Sequence, residues 1–433
     1  MFKYSLINKD KISININQFL IKKEILFKIL INNILILLFF ISYEKNRFLI
    51  YDIESKLQRY IKYKRVNNLT NYYNYEKELP KIINYIKILK ESSFQNKISY
   101  DEVDKPKISF IASVYNKEKY LNSFIFSIQN QNLKDFELII VDDSSTDKSI
   151  NIIKKFKKND KRIKLFRNKK NKGSLYTRYK GVTHSKGEFI IFVDSDDIIL
   201  KDGILRAYNY IKKNNLDMVQ FNSVFEKNSS SIFISRRHYK YYNIIYQPIL
   251  SYIFYYDREN KNGSEYNTGL WDKLIKKEAV LNAFKYIGKE YINEKIMIEN
   301  DIIMLFSLFK NAKSYQYIDE LGYFYFYTNN DSISHAKYNP LKSNIVIRSI
   351  FFNIKFLYEK TGNTYLDKYY CLFKLNQACY RYKKCFKHLN KGYRLIKSVF
   401  NKDIELLESN YISLENKYRI RNLSKKILIN YVN

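Results

Sequence analysis

The residues of this chain best suited to chemistry are Asp194-Ser195-Asp196-Asp197, which follow directly on the run Glu188-Phe-Ile-Ile-Phe-Val193. A stretch of aromatic and aliphatic residues introduced by Gly187 predicts a buried strand, so the carboxylates stand where that strand leaves its sheet. Carboxylates two residues apart on an extended turn can face one pocket, where hard oxygen ligands hold Mg2+ or Mn2+ and leave coordination positions for phosphate oxygens. Asp and Ser also cap strands and open helices without any ligand. The chemical reading of the cluster is a metal-bound diphosphate.

The upstream elements weigh in favour of that reading, because they repeat the same design. Lys107 to Val114 predicts a strand ending in Tyr115-Asn116, and Leu121 to Asn130, with apolar residues at 121, 124, 125 and 128, has helical spacing. Phe136 to Val141 predicts a second strand ending in Asp142-Asp143-Ser144-Ser145, followed by a helix from Thr146 to Phe156 with Ser145 or Thr146 as N-cap. Ile163 to Phe166 is a third short strand, and Ser174 to Ser185 is a further helix before the acidic strand. Alternation of strand and helix implies a mainly parallel sheet with helices on both faces. Ligands of open α/β sheets bind beyond the carboxyl ends of the strands, so the polar ends of strands one, two and four converge on one crevice.

Ser113-Val-Tyr-Asn116, Ser127-Ile128 with Gln131, Val141-Asp-Asp-Ser-Ser-Thr-Asp147, Asn171-Lys-Gly173 with Arg178, and Gly187 to Asp197 occur in this order. Together they resemble the family 2 glycosyltransferases of GT-A fold, over roughly 107 to 225 with weaker echoes to about 336. The resemblance implies a Rossmann-like GT-A domain and a nucleotide-sugar donor, with UDP as the expected nucleotide. It places Ser113, Tyr115, Asn116, Asp142, Asp143, Arg178 and Asp194 around the nucleotide sugar. Tyr115 and Asn116 approach base and ribose, one of Asp142 and Asp143 accepts from the nucleobase, and Arg178 suits phosphate oxygens. Asp194 lies towards the ribose, and Asp196, with Asp194, holds Mn2+ or Mg2+. Ser113 stands where proline is frequent, Ser144 where glycine is frequent and Tyr179 where asparagine usually follows the arginine.

The segment Glu294 to Phe306 resembles the second-half acidic motif of the same family, which implies Asp301 as the base that deprotonates the acceptor hydroxyl, with Glu299 as the alternative in a shifted register. Asn300 and Asp301 could instead cap a helix from Ile302 to Phe309. Metal and Arg178 would offset charge on the departing diphosphate, and the family implies inversion at the anomeric carbon. By the same resemblance Trp271 and Lys273 are acceptor-side candidates, and His335, in Asp331-Ser-Ile-Ser-His335, is a diphosphate candidate. The implied acceptor is a hydroxyl of a glycan, lipid or protein-linked group. Two other readings remain open: a nucleotidyltransferase, and an inactive protein that binds nucleotide sugars or anionic surfaces.

Composition fits this picture without deciding it. Lys and Arg number 76 against 43 Asp and Glu, a net charge of +33. The dominant Lys, Asn, Ile, Tyr and Phe have A- and T-rich codons, the basic residues are scattered, and no nucleic-acid module is present, so nucleic acid is not an expected partner. Cys371, Cys379 and Cys385 are odd in number and lack C-x-x-C spacing, so no disulfide framework is indicated.

The expected organisation is a tail and transmembrane anchor over 1–44, a helical stem over 45–104, the GT-A domain over 105–338 (nucleotide half 105–225, acceptor half 226–338) and a helical region over 339–433. Residues 25–43 approach the roughly 20 apolar residues that span a bilayer, although Asn32-Asn33 interrupt them. Lys22, Lys23 and Lys28 precede the apolar run Ile29 to Tyr43, against Lys45 and Arg47 beyond it, which favours a cytoplasmic N-terminus. That gives a single-pass membrane protein, with the enzyme in the secretory lumen if the source is eukaryotic; a cytoplasmic or peripheral membrane placement is the alternative. Sequons at Asn68, Asn228, Asn262, Asn330 and Asn422 permit glycosylation in a lumen.

Overall fold

A computed structural model describes residues 75–91, 99–228, 231–235, 245–246, 269–296 and 300–326, together with 349, 352–353, 355–357 and 359–360. The expected anchor over 25–43, most of the stem, Glu299, His335 and nearly all of the region after 339 lie outside the described residues. Among the described residues no helix is long and apolar enough to cross a membrane.

In chain order the elements are α1 (Tyr75–Glu91), β1 (Ile108–Val114), α2 (Leu121–Gln129), β2 (Phe136–Asp142), α3 (Ser149–Asn159), β3 (Ile163–Arg167), α4 (Ser174–Thr183), β4 (Phe189–Asp194), β5 (Ile198–Ile199), α5 (Gly203–Lys213) and β6 (Met218–Asn228). They continue with β7 (Ser231–Ser235), β8 (Ile245–Tyr246), β9 (Lys273–Lys276), α6 (Lys277–Ile287), α7 (Lys289–Ile292), α8 (Asn300–Asn311) and β10 (Ser314–Phe326). The strands form one mixed sheet in the order β3-β2-β1-β4-β9-β6-β10-β5, with β7 on β6 and β8 on β10.

The unbroken parallel run of the expected sheet is its first half, and one antiparallel strand separates it from a further parallel pair. β3, β2, β1 and β4 are parallel neighbours, as βαβ crossovers require. β9 then runs antiparallel to both β4 and β6, while β6 and β10 are parallel.

Strand alternation distributes the core to two faces. Ile111, Ile139, Val141, Ile190 and Phe192 point to the layer made by α4, α6 and α8. Phe110, Ala112, Leu138, Ile140 and Ile191 point to the layer of α2, α3 and α5. Gly181 lets α4 lie close on the sheet, since a Cβ there would stand 2.5 Å from Ile111 Cγ2. The last part of the expected stem, α1, rests on the domain through buried Ile86 and Leu89, and Ser123 Oγ donates to the Leu89 carbonyl at 3.0 Å.

The helix after β2 starts later than the sequence predicts. It begins at Ser149, not Thr146, because Ser145 and Thr146 are drawn into the neighbouring loop: Ser145 Oγ accepts from the Asn116 N–H at 3.0 Å, and the Thr146 N–H donates to Asn116 Oδ1 at 2.9 Å. Helix α8 starts earlier than predicted, so Asn300 and Asp301 sit in its first turn.

Candidate active site

The acidic turn is the convergence point of three elements. Asp194 ends β4 with the parity of Ile190 and Phe192, so its side chain faces the layer of α4 and α8. Its N–H donates to Tyr323 Oη at 3.1 Å, and that hydroxyl in turn donates to Asp197 Oδ2 at 2.8 Å. Asp197 Oδ1 accepts from the Phe326 N–H at 3.0 Å, and Ser195 Oγ donates to the Ser113 carbonyl at 3.0 Å. Asp197 therefore ties the turn to β10. Burial first, with Asp196 and Asp194 adding to it, holds its carboxyl well above the ordinary carboxylate range.

Arg178 is the hub. It lies on the sheet-facing side of α4 with Leu175 and Val182, and its side chain is only 7% exposed. Nη2 donates to Asp194 Oδ1 at 3.2 Å, and Nη1 donates to Asn300 Oδ1 at 2.7 Å and to Asp301 Oδ1. Burial works against the guanidinium charge, but Asp301 and Asp194 outweigh it and hold its pKa above the usual value. Burial likewise pushes the Asp194 carboxyl up to about 6, Arg178 pulling it down while Asp301 and Asp196 push it further up. Asp194 and Asp301 retain 34% and 26% side-chain exposure, so both remain open to an incoming molecule.

Asn300 is a residue whose part the sequence underrates. Besides accepting from Arg178, it donates through Nδ2 to Ser174 Oγ at 2.7 Å, which joins the start of α8 to the start of α4. Its signal was its place beside Asp301 in the acidic motif, where an acid is more usual.

Asp196 is met by a second cation, Lys117, whose Nζ lies 2.5 Å from Asp196 Oδ2. Lys117 follows Asn116, which takes a left-handed φ of 51° at the end of the β1 loop. Tyr115, before it, is 43% exposed.

Asp142 and Asp143 are largely absorbed by the fold. Asp142 is fully buried, pairs with Arg167 Nε at 3.1 Å across the β2–β3 register and accepts from the Ser145 N–H. Asp143 Oδ1 accepts from Asn168 Nδ2 and the Lys172 N–H, and Oδ2 from the Gly173 N–H, each at 2.8 Å. Asp143 thus shapes the loop that leads into α4. Gly173, at φ 89°, takes the left-handed conformation that glycine adopts freely. Ser144 stands at φ 70°, which explains why glycine is the common residue there. Ser113 Oγ is buried without a hydrogen-bond partner, on the face that Asp194 shares.

Trp271 and Lys273 lie in the interior. Trp271 is 5% exposed and stacks on Tyr323 and Tyr325 at centroid distances of 4.5 and 5.6 Å. Lys273 is fully buried, and its ammonium donates to Asp272 Oδ1 at 2.5 Å and to the Gly269 carbonyl at 2.8 Å.

Asp194 and Asp196 fit a hard divalent cation in donor chemistry, since both offer carboxylate oxygens at an accessible turn. Among the described residues no group of three or more His, Cys, Asp or Glu gathers to hold a metal. Any such ion would need further ligands from substrate or water.

Residues 109–273 match the model of the glycosyl transferase family 2. The chain is 43% identical over 123 residues to an uncharacterized glycosyltransferase of Haemophilus influenzae, a match covering 28% of this chain and 49% of that protein. It is 30% identical over 235 residues to a cholesterol galactosyltransferase of Borreliella burgdorferi, covering 53% and 61%. Its matches thus span about half the length of these curated relatives. Among solved structures, S. aureus TarS 1–349 in complex with UDP-GlcNAc gives a TM-score of 0.47 at 18% identity, covering 66% of this chain and 76% of that one.

Proposed function

We propose that this chain is an inverting glycosyltransferase of GT-A fold that moves a sugar from a nucleotide-sugar donor, with UDP as the expected nucleotide, to a hydroxyl group of an acceptor. The observation that carries the reading is the bridge made by Arg178, which brings Asp194 at the end of β4 and Asp301 at the start of α8 onto one buried guanidinium.

Tyr115, exposed at the end of β1, is placed to stack on a nucleobase. Asp143 holds the loop that leads into α4 in shape. Asp194 and Asp196 would hold Mn2+ or Mg2+, which when bound neutralises charge on the diphosphate. Arg178 carries a fixed positive charge next to the same region and stabilises the departing diphosphate. The acceptor oxygen forms a bond to the anomeric carbon, the bond from that carbon to the diphosphate oxygen breaks, and its electron pair leaves with the nucleoside diphosphate. Asp301 receives the acceptor proton, and Arg178, itself held by Asn300, fixes its orientation. Attack on the face opposite the leaving group inverts the anomeric centre.

The acceptor class is drawn from relatives named for lipid and polymer substrates. These include the cholesterol galactosyltransferase, a poly(ribitol-phosphate) beta-glucosyltransferase of Bacillus spizizenii and a GalNAc(5)-diNAcBac-PP-undecaprenol beta-1,3-glucosyltransferase of Campylobacter jejuni. A lipid- or polymer-linked hydroxyl agrees with a membrane location for the whole protein, and residues 25–43 are the proposed anchor.

Asp301→Asn tests the assignment. Turnover should fall about a hundred- to ten-thousand-fold, the usual worth of a general base, while thermal stabilisation by UDP with Mn2+ is retained. Undiminished turnover in the variant would remove Asp301 from the mechanism. Absence of stabilisation of the folded wild type by any nucleoside diphosphate would remove the transferase reading itself.

A further inference from the structure

We propose that Lys117 is the resident counter-cation of Asp196 and governs how readily a divalent metal enters the donor site, a role that rests on the transferase reading of Asp194 and Asp196.

The pair is partly enclosed: its side chains are 18% and 17% exposed, and Nζ stands 2.5 Å from Oδ2. The lysine is held there by its loop. Its own N–H donates to Ser149 Oγ at 2.9 Å, the Glu118 N–H donates to Asp147 Oδ2 at 3.0 Å, and Glu118 Oε2 accepts from the Lys148 N–H at 2.8 Å. These three bonds fasten the loop after β1 to the start of α3. The ammonium also lies 5.6 Å from the centre of the Tyr120 ring, whose face favours a cation.

A carboxylate oxygen in contact with an ammonium at this distance cannot also take a metal ion at about 2.0–2.1 Å, the usual Mg2+ distance, without forcing two cations together. Metal entry therefore displaces Lys117 from Asp196. A nucleoside diphosphate arriving with the metal offers the displaced ammonium new oxygens, and a lysine suits phosphate as a mobile point charge. Metal alone is thus disfavoured, and metal with diphosphate is favoured. The coupling between the two ligands runs through Lys117, and it is reciprocal.

The test is Mn2+ binding to the full chain, followed by the spin-resonance signal of free Mn2+, with and without UDP and corrected for Mn2+ held by UDP in solution. Wild type should bind Mn2+ weakly alone and at least tenfold more tightly with UDP. Lys117→Gln should bind Mn2+ alone at least fivefold more tightly than wild type and lose most of the gain from UDP, while Lys117→Arg should stay weak alone. Lys172→Gln controls for the general loss of a positive charge. Lys117→Gln binding Mn2+ no better than wild type, or no better than Lys172→Gln, would overturn the role of Lys117 and leave the donor site standing. A folded wild type that takes up no Mn2+ even with a panel of nucleoside diphosphates would overturn both.

Discussion

Two Lys–Asp pairs in this molecule have the same length and opposite fates. Lys117–Asp196 and Lys273–Asp272 each close at 2.5 Å. The first sits at the sheet edge with both side chains partly in solvent, and the second is completely buried. The interior pair is embedded in a polar chain: Asp272 Oδ2 accepts from Gln220 Nε2 at 2.8 Å, and Gln220 Oε1 accepts from Tyr315 Oη at 2.8 Å. These bonds join β6, β9 and β10, the strands that complete the sheet beyond its parallel half. The edge pair joins two loops and can open. Identical chemistry thus serves assembly where water is excluded, and where water is admitted it is the pair for which ligand exchange is proposed.

The largest effect is expected in the interior. Lys273→Met removes the partner of a buried carboxylate and should cost about 3–5 kcal/mol of stability, the usual price of stranding one member of such a pair. Denaturant unfolding measures it, and a loss below about 1 kcal/mol would show that the interior pair behaves like a surface one. Replacing both partners together, as Asp272→Leu with Lys273→Met, should recover part of the loss, because no isolated charge is then left.

A smaller and pH-dependent effect is expected at Asp194, which lies between these extremes. Its native pKa is pushed up to about 6, above the roughly 3.9 of an unfolded chain. Between about pH 4 and pH 6 the native state therefore holds a proton that the unfolded state has released. The stability contributed by that bound proton is full below pH 4 and is lost as pH rises towards 6. Asp194→Asn removes this dependence, so the stability of the variant relative to wild type should rise across that window and stay level above it. Because 34% of the side chain meets solvent, screening keeps the change in slope below one proton. A relative stability that falls across the same window would reverse the sign and contradict the burial of this carboxyl.

The sequence and the structure agree most closely where local pattern carries the information. The unbroken apolar run of Phe189 to Val193 was enough to place β4 and to put the acids at its end, and four parallel strands followed from the repeated strand–helix spacing. The contact between Arg178 and Asp301 joins residues 123 positions apart, and no periodicity encodes it; the resemblance named both residues but assigned them to different partners. Lys117 carried no signal at all, being one lysine in a chain with 76 Lys and Arg. Asp142 and Asp143 were placed at the nucleotide by the resemblance, and no local pattern foretold their bonds to Arg167, Asn168 and the N–H groups of Lys172 and Gly173. Trp271 and Lys273 were named by the resemblance, which is silent on burial. The reversal of β9 had no local signature either, because direction in a sheet depends on how a distant segment returns.

The smallest effect is expected at the edge pair, and it sharpens the comparison most. Lys117→Gln should change stability by no more than about 1 kcal/mol, the range of ion pairs in contact with water. Asp196 stays partly hydrated after the change, and the loop around residue 117 keeps its backbone bonds to Ser149 and Asp147. The same substitution should leave the unfolding slope with denaturant unchanged, since no additional surface is exposed. A loss approaching that of Lys273→Met would mean that Asp196 cannot be rehydrated when its partner is removed. In that case the pair at the sheet edge would be structural, and exposure would not be what separates the two pairs.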